Sequence, residues 1–274
     1  MLTHLARLRL NQTVIKNSSP GVWLGASGLL YTGPLPTLDW HVHPFACALF
    51  CPTGLITAQG RGEAITAPIV LAGAGVRHRL SFSAGATVAS LYIAPHDPDF
   101  AYLRRAAPDD LLGAPRSDAW STAWARWGEA RDASAMRAAI RQSFLVYEDD
   151  QGVGAEVVPS LDHRALRLLR AMARGELLRS TTRALADEVG LSASRLAHLI
   201  KAQTGVTPGS LQRGYRFWRA AHAVASGANF TQAAHEADFA DAAHFSRAFR
   251  DAYGTAPTGI LDPSTTWAMC GSVG

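Results

Sequence analysis

Between residues 21 and 98 the apolar positions come in short runs, 29–31, 46–50, 67–71 and 88–93, cut by Gly, Pro and Thr. Runs of four to eight residues with punctuation every 8 to 12 positions predict an antiparallel β-sandwich or barrel. From about Ser117 the punctuation thins and the apolar spacing becomes helical. Ser117 is placed to cap a helix whose Trp120, Trp124 and Trp127 share one face at i, i+4, i+7. Asp132 is placed to cap a second, with Met136, Ile140 and Phe144 in register. The tryptophan stripe either packs on its own domain or forms a subunit seam, where large aromatics are enriched. Residues 148–154 are acidic and contain glycine, as a linker would be.

The last hundred residues contain an internal repeat. Positions 196–208 align without gaps on 245–257, pairing Leu196 with Phe245, Lys201 with Arg250, Gly205 with Gly254 and Pro208 with Pro257. Each copy predicts an amphipathic helix stopped by glycine, with proline soon after. Ahead of the first copy, 181–189 reads as a short helix, and Gly190-Leu191-Ser192 as a sharp turn with Ser192 an N-cap. Ahead of the second, 231–237 reads as the matching helix and Asp238-Phe239-Ala240 as its turn. Each unit has helix-turn-helix spacing. Residues 208–226 predict one continuous connecting helix, roughly 28 Å long. Two such units on a rigid strut suit successive major grooves on one side of a duplex.

The run Asp238-Phe239-Ala240-Asp241-Ala242-Ala243-His244-Phe245-Ser246-Arg247-Ala248-Phe249-Arg250, followed by Gly254 and Pro257, resembles the second-motif signature of the AraC/XylS family of bacterial transcription regulators, with Arg216, Arg219 and Ala220 matching its middle helix. The resemblance spans about 160–262. It departs at Asp238, where the family normally has Gly; Asp can adopt the left-handed conformation at some cost.

In the first reading helix Leu196, Leu199 and Ile200 must face the core. Ser194, Arg195, Ala197, His198 and Lys201 are left for DNA. The resemblance places Ser194, Ala197 and His198 nearest the base edges; Arg195 and Lys201 read as phosphate contacts. In the second helix Phe245, Ala248 and Phe249 are core, while Ala242, Ala243, Ser246 and Arg247 face outward, with Arg250 beside them. Arg247 is the candidate for bidentate guanine recognition, unless it is tied to Asp241 or Asp251.

In the first half, Trp40-His41-Val42-His43 begins a predicted strand, and alternation sets His41, His43, Cys47 and Cys51 on one face. Gly75-Val76-Arg77-His78 supplies a third histidine, and Arg77 and Arg79 point away from it. This pattern resembles the cupin barrel, which implies His41, His43, Cys47 and His78 as a ligand set. By donor type it suits a divalent transition metal such as Zn, Ni, Co or Fe. It departs in having a thiol for the usual acid, Gly73 for proline and no asparagine after His78. Histidines hydrogen-bonded without metal, or contacting an organic effector, are the alternatives.

Composition adds bounds. The 274 residues are 48% hydrophobic and 18% charged, ordinary for a folded chain. No stretch predicts a membrane span, and the first ten residues lack a signal-peptide core, so the expected location is the bacterial cytoplasm. Three cysteines are too few for a disulfide scaffold. The net charge is +4, and residues 155–274 hold 13 Lys and Arg against 10 Asp and Glu. So small an excess predicts a homodimer on two half-sites.

The sequence therefore predicts an α+β chain in four parts: a cupin-like sensor domain (1–115), a helical dimerisation or linker segment (116–158), an all-α domain with two helix-turn-helix motifs (159–263) and a tail (264–274). The function expected is a ligand-responsive, sequence-specific transcription regulator, not an enzyme. Its partners are double-stranded DNA and a metal or small-molecule effector. A metal-dependent cupin enzyme with a DNA-binding appendage is the competing reading. It has few acids to work with, since Glu63 is the only one between Asp39 and Asp97. A constitutive binder whose barrel only dimerises is the third.

Overall fold

Alternation in the first hundred residues resolves into two facing sheets. The computed structural model describes residues 20–107, 110–116, 118–130, 161–260 and 265–269. Nine strands lead: β1 (Gly21–Leu24), β2 (Gly28–Pro34), β3 (Leu38–Val42), β4 (Ala46–Phe50), β5 (Ile56–Gln59), β6 (Ile65–Ala67), β7 (Ile69–Ala72), β8 (Arg77–Phe82) and β9 (Thr87–Ile93). After α1 (Phe100–Ala106) come β10 (Leu111–Ala114) and α2 (Asp118–Ala130). The larger sheet runs β10-β7-β4-β9-β2-β1 and the smaller β3-β8-β5-β6.

β4 is buried throughout because both of its faces are covered. Cys47, Leu49 and Cys51 join Leu38, Ile56, Val70, Leu80 and Val88 between the sheets. Ala46, Ala48 and Phe50 pack outward on Phe100 and Trp120. The expected single run 67–71 is instead two strands in different sheets. Pro68 has no N–H to give a ladder, and its carbonyl accepts from the Cys51 amide at 2.8 Å. Of the tryptophan stripe, Trp120 is buried against Phe50 and Trp124 half-buried beside it, so these two pack on their own domain. The Trp127 side chain, the Ser117 cap, the helix from Asp132 with Met136, Ile140 and Phe144, the linker at 148–154 and Cys270 lie outside the described residues.

The helical half comprises α3 (His163–Ala173), α4 (Thr182–Asp187), α5 (Ala193–Thr204), α6 (Pro208–Ala225), α7 (Phe230–Glu236) and α8 (Ala242–Tyr253). Both repeat units carry a matching set of end signals. Thr181 and Asn229 cap the leading helices, Ser192 and Asp241 the following ones. Gly205 and Gly254 end α5 and α8 in the left-handed conformation at φ 83° and 75°. The second leading helix starts at Phe230, one residue before the expected 231, because Asn229 and Gln232 form a capping box there. The chain then returns to the first domain: β11 (Thr266–Met269), within the expected tail, pairs in parallel with β1 and extends the larger sheet.

Asp238 adopts the left-handed conformation its turn requires, at φ 61°. Its carboxylate pairs with Arg219 at 2.9 Å and with Arg179 at 3.8 Å, while Arg216 donates to the carbonyls of Ala237 and Asp238 and lies over the Phe239 ring. Three arginines thus hold a turn that glycine would form without strain. Asp238→Ala loses the ion pairs and keeps the strain, so unfolding free energy should fall by about 1–2 kcal/mol in urea denaturation. Asp238→Gly should cost under about 1 kcal/mol, because relief of backbone strain offsets the lost pairs.

Candidate DNA-reading face and histidine cluster

The helix-turn-helix geometry turns the first turns of α5 and α8 outward. Leu196 and Ile200 anchor α5, and Phe245 and Ala248 anchor α8, all buried. Leu199 and Phe249 pack partly buried beside them. Ser194, Arg195, His198 and Lys201 are exposed on α5, with Ala197 half-buried among them. On α8 Ala243, Arg247 and Arg250 are exposed, and Ala242 and Ser246 half-buried. Of the two acids that might have tied Arg247, Asp241 caps its helix, accepting the His244 amide at 2.6 Å. Among the described residues no ion pair holds Arg247.

The predicted histidines also meet. His41 and His78 are direct cross-strand partners on β3 and β8, and His43 follows β3 on the same side. One ring nitrogen from each lies within 4.8 Å of the others, and all three side chains are buried. Burial lowers the pKa of each, His41 to about 4, so all three are neutral near pH 7. His41 Nδ1 lies 2.6 Å from the Asp39 carbonyl and His78 Nδ1 2.9 Å from that of Val76. A carbonyl only accepts, so both Nδ1 atoms carry the proton and both Nε2 atoms are acceptors, that of His41 taken by the His43 Nε2 proton and that of His78 free. His41 Nε2 sits 3.0 Å from His43 Nε2, while His78 Nε2 and His43 Nδ1 have no hydrogen-bond partner. Neutral rings oriented by backbone carbonyls, with orphaned buried nitrogens, fit a first-row dication such as zinc.

Cys47 is not part of this set. It shares the barrel interior, but the turn at Pro44 and Phe45 moves the chain to the other sheet, where Cys47 stands opposite Tyr92 on β9. The cluster contains the three histidines alone. Burial pushes the Cys47 thiol well up, and a hydrogen bond with Tyr92 opposes that shift. Arg77 and Arg79 are exposed as expected and lie over the Trp40 ring.

The helical half is seated directly against this cluster. The Asp39 amide donates to the Gly254 carbonyl at 2.9 Å, and the Tyr253 ring lies 5.7 Å from that of His43 and 5.5 Å from Tyr92. Phe45, two residues after His43, packs edge-on to Tyr215 and Trp218 of α6. Between the halves runs an apolar slot walled by Tyr31, Leu38 and Tyr92 of the barrel and by Phe217, Phe249 and Tyr253 of the helices. The buried Ser90 hydroxyl, at the same slot, has no partner. A wider cavity of about 650 Å³ shares Trp218 with it and is lined by His96, Arg170, Arg174, Arg219 and Glu236. Neither cavity was foreseen from sequence, because each is made of residues from both halves.

Residues 185–262 match the family model of a helix-turn-helix domain. The C-terminal domain is of the AraC type. Over most of the chain, the AraC-type domain and its barrel share their fold with ToxT from Vibrio cholerae. Wild-type ToxT of strain SCE256 with an unsaturated fatty acid bound superposes with a TM-score of 0.60 at 15% identity, covering 86% of this chain and 96% of that one. ToxT of strain O395 bound to (E)-4-(8-methylnaphthalen-1-yl)but-3-enoic acid gives 0.58 at 14% identity, covering 85% and 97%. No curated protein sequence matches the chain. Among the described residues no helix is long and apolar enough to cross a membrane.

The position of Cys47 gives a direct check. In the native protein at pH 8, iodoacetamide followed by peptide mass analysis should leave Cys47 unmodified, and unfolding in guanidinium should make it react. Rapid native alkylation of Cys47 would contradict its burial.

Proposed function

We propose that the protein is a sequence-specific DNA-binding transcription regulator whose barrel senses an effector. The observation that carries this reading is the paired, outward-facing first turns of α5 and α8 in an AraC-type domain seated on a barrel that has an interior ligand-type cluster. Arg247 reads a guanine, and Arg195, Lys201 and Arg250 hold phosphates. Ser194, Ala197, His198, Ala242, Ala243 and Ser246 complete the base-facing surface. Two copies on two half-sites supply the affinity that a modest positive charge does not.

The effector site is the histidine cluster, and the effector a divalent transition metal held by His41, His43 and His78. A three-histidine set leaves room for a further ligand, as in open metal sites. Metal chemistry on a substrate would also need a positioned acid or base. Among the described residues the cluster includes no carboxylate, and Glu63 is exposed. That favours sensing over catalysis. The slot favours a second reading, in which the effector is an amphiphilic carboxylic acid. Its apolar body would lie among the aromatic rings and its carboxylate toward Arg170 in the wider cavity beyond Trp218, in keeping with the acids bound by ToxT.

Two measurements test these assignments. Arg247→Ala should weaken binding to the preferred duplex by about 1–3 kcal/mol and relax choice at a single base pair, whereas Lys201→Ala should lower the slope of log affinity against log salt by about one. Uniform loss across all sequences for Arg247→Ala would make it a phosphate contact. Titration with Co²⁺ should develop the visible bands of a low-symmetry site in the native protein and none in His43→Ala; unchanged bands in that variant would remove the metal assignment.

A further inference from the structure

The two DNA-reading helices meet the barrel at their carboxyl-terminal caps, and both caps land on backbone that holds the histidines. At Gly254, ending α8, a β-carbon would come within 2.6 Å of the Asp39 carbonyl and 2.8 Å of His41 Nδ1. That same Asp39 carbonyl accepts the His41 Nδ1 proton, and the Asp39 amide donates to Gly254. At Gly205, ending α5, a β-carbon would come within 2.6 Å of the Ala74 carbonyl, and one on Gly75 within 2.8 Å of the Gly205 carbonyl. The Gly75 amide in turn donates to the His43 carbonyl at 2.9 Å. Gly214 of α6 also sits so close that a β-carbon would meet Pro44 and Phe45 at 2.9 Å.

We propose that the histidine cluster is a metal-operated latch: a divalent transition-metal ion on His41, His43 and His78 tightens the seating of both reading helices on the barrel through Gly254 and Gly205. This rests on the metal reading of the cluster given above.

The physical path is short. An ion with metal–nitrogen bonds of about 2.0–2.1 Å needs its donor atoms closer together than the 4.8 Å over which they now spread. Coordination at Nε2 also draws electron density from the ring, so the His41 Nδ1 proton binds the Asp39 carbonyl more strongly. Both changes stiffen β3 and the turn after His43, the backbone on which the caps rest. The latch therefore has two arrangements, seated and released, and the metal favours the first. Linkage makes the coupling reciprocal: whatever unseats the helices weakens the metal.

Reciprocity supplies the test. Gly214→Ala touches no histidine and suits a helix, yet its methyl group presses on Pro44 and Phe45 and should unseat α6. Zn²⁺ affinity, measured by competition with a chromophoric chelator, should fall about fivefold or more in Gly214→Ala. Hydrogen exchange read by mass spectrometry should slow at the Asp39 and Gly75 amides when Zn²⁺ is added to the wild-type protein, and slow less in the variant. Gly205→Asn, which tolerates the left-handed cap, crowds the Ala74 carbonyl and touches no histidine, should behave in the same way and serves if Gly214→Ala does not fold. Zn²⁺ binding that is equally tight in the variants, with Asp39 exchange indifferent to the metal, would overturn the latch and leave the metal site standing. Absence of Zn²⁺ binding to the wild-type protein would overturn both.

Discussion

Close approach of backbone to backbone joins the two halves of this molecule. Gly205 and Gly254 bring the ends of α5 and α8 within hydrogen-bonding or van der Waals reach of the barrel, and no side chain intervenes. The aromatic contacts between Phe45, Tyr215 and Trp218, and the hydrogen bond between His96 and Tyr215 at 2.8 Å, fill the space that this approach leaves. Because α5 and α8 touch the barrel at one end and present their first turns at the other, a rigid helix carries any movement of its seat to the residues proposed to face DNA.

The same constraint explains why three histidines can lie in an apolar interior. Each ring stays neutral, two are held by backbone carbonyls, and the segments that bear them are pinned from outside by the helical half. β11 adds a further tie, since the chain that leaves α8 pairs with β1 before it ends. The barrel and the helical domain therefore support each other, and each supplies part of the slot between them.

Much of this was legible in the amino-acid order, and the reasons differ by element. Caps, glycine stops and the 49-residue offset are local signals, so α5, α6 and α8 fall where periodicity and Ser192, Asp241, Gly205 and Gly254 put them. The left-handed Asp238 followed from its place in the turn, but the arginines that steady it come from α6 and from the loop before α4, and no local pattern announces them. His41 and His43 share a face because i, i+2 alternation carries through the end of β3, while His78 stands out by the Gly75-Val76-Arg77-His78 pattern on β8. Cys47 was misplaced because alternation does not survive a change of sheet. Pro68 split a run that looked continuous. β11 was missed because parallel pairing with a distant edge leaves no trace in a four-residue stretch. The role of Gly254 as a seat was hidden behind its role as a helix stop.

On the proposed reading α5 and α8 engage one duplex together. Enrichment of tight binders from a pool of random duplexes tests it most directly. Each protein copy should select two short preferred segments about one helical turn, roughly 10 base pairs, apart. Selection of a single segment per copy, or no enrichment over random sequence, would contradict it.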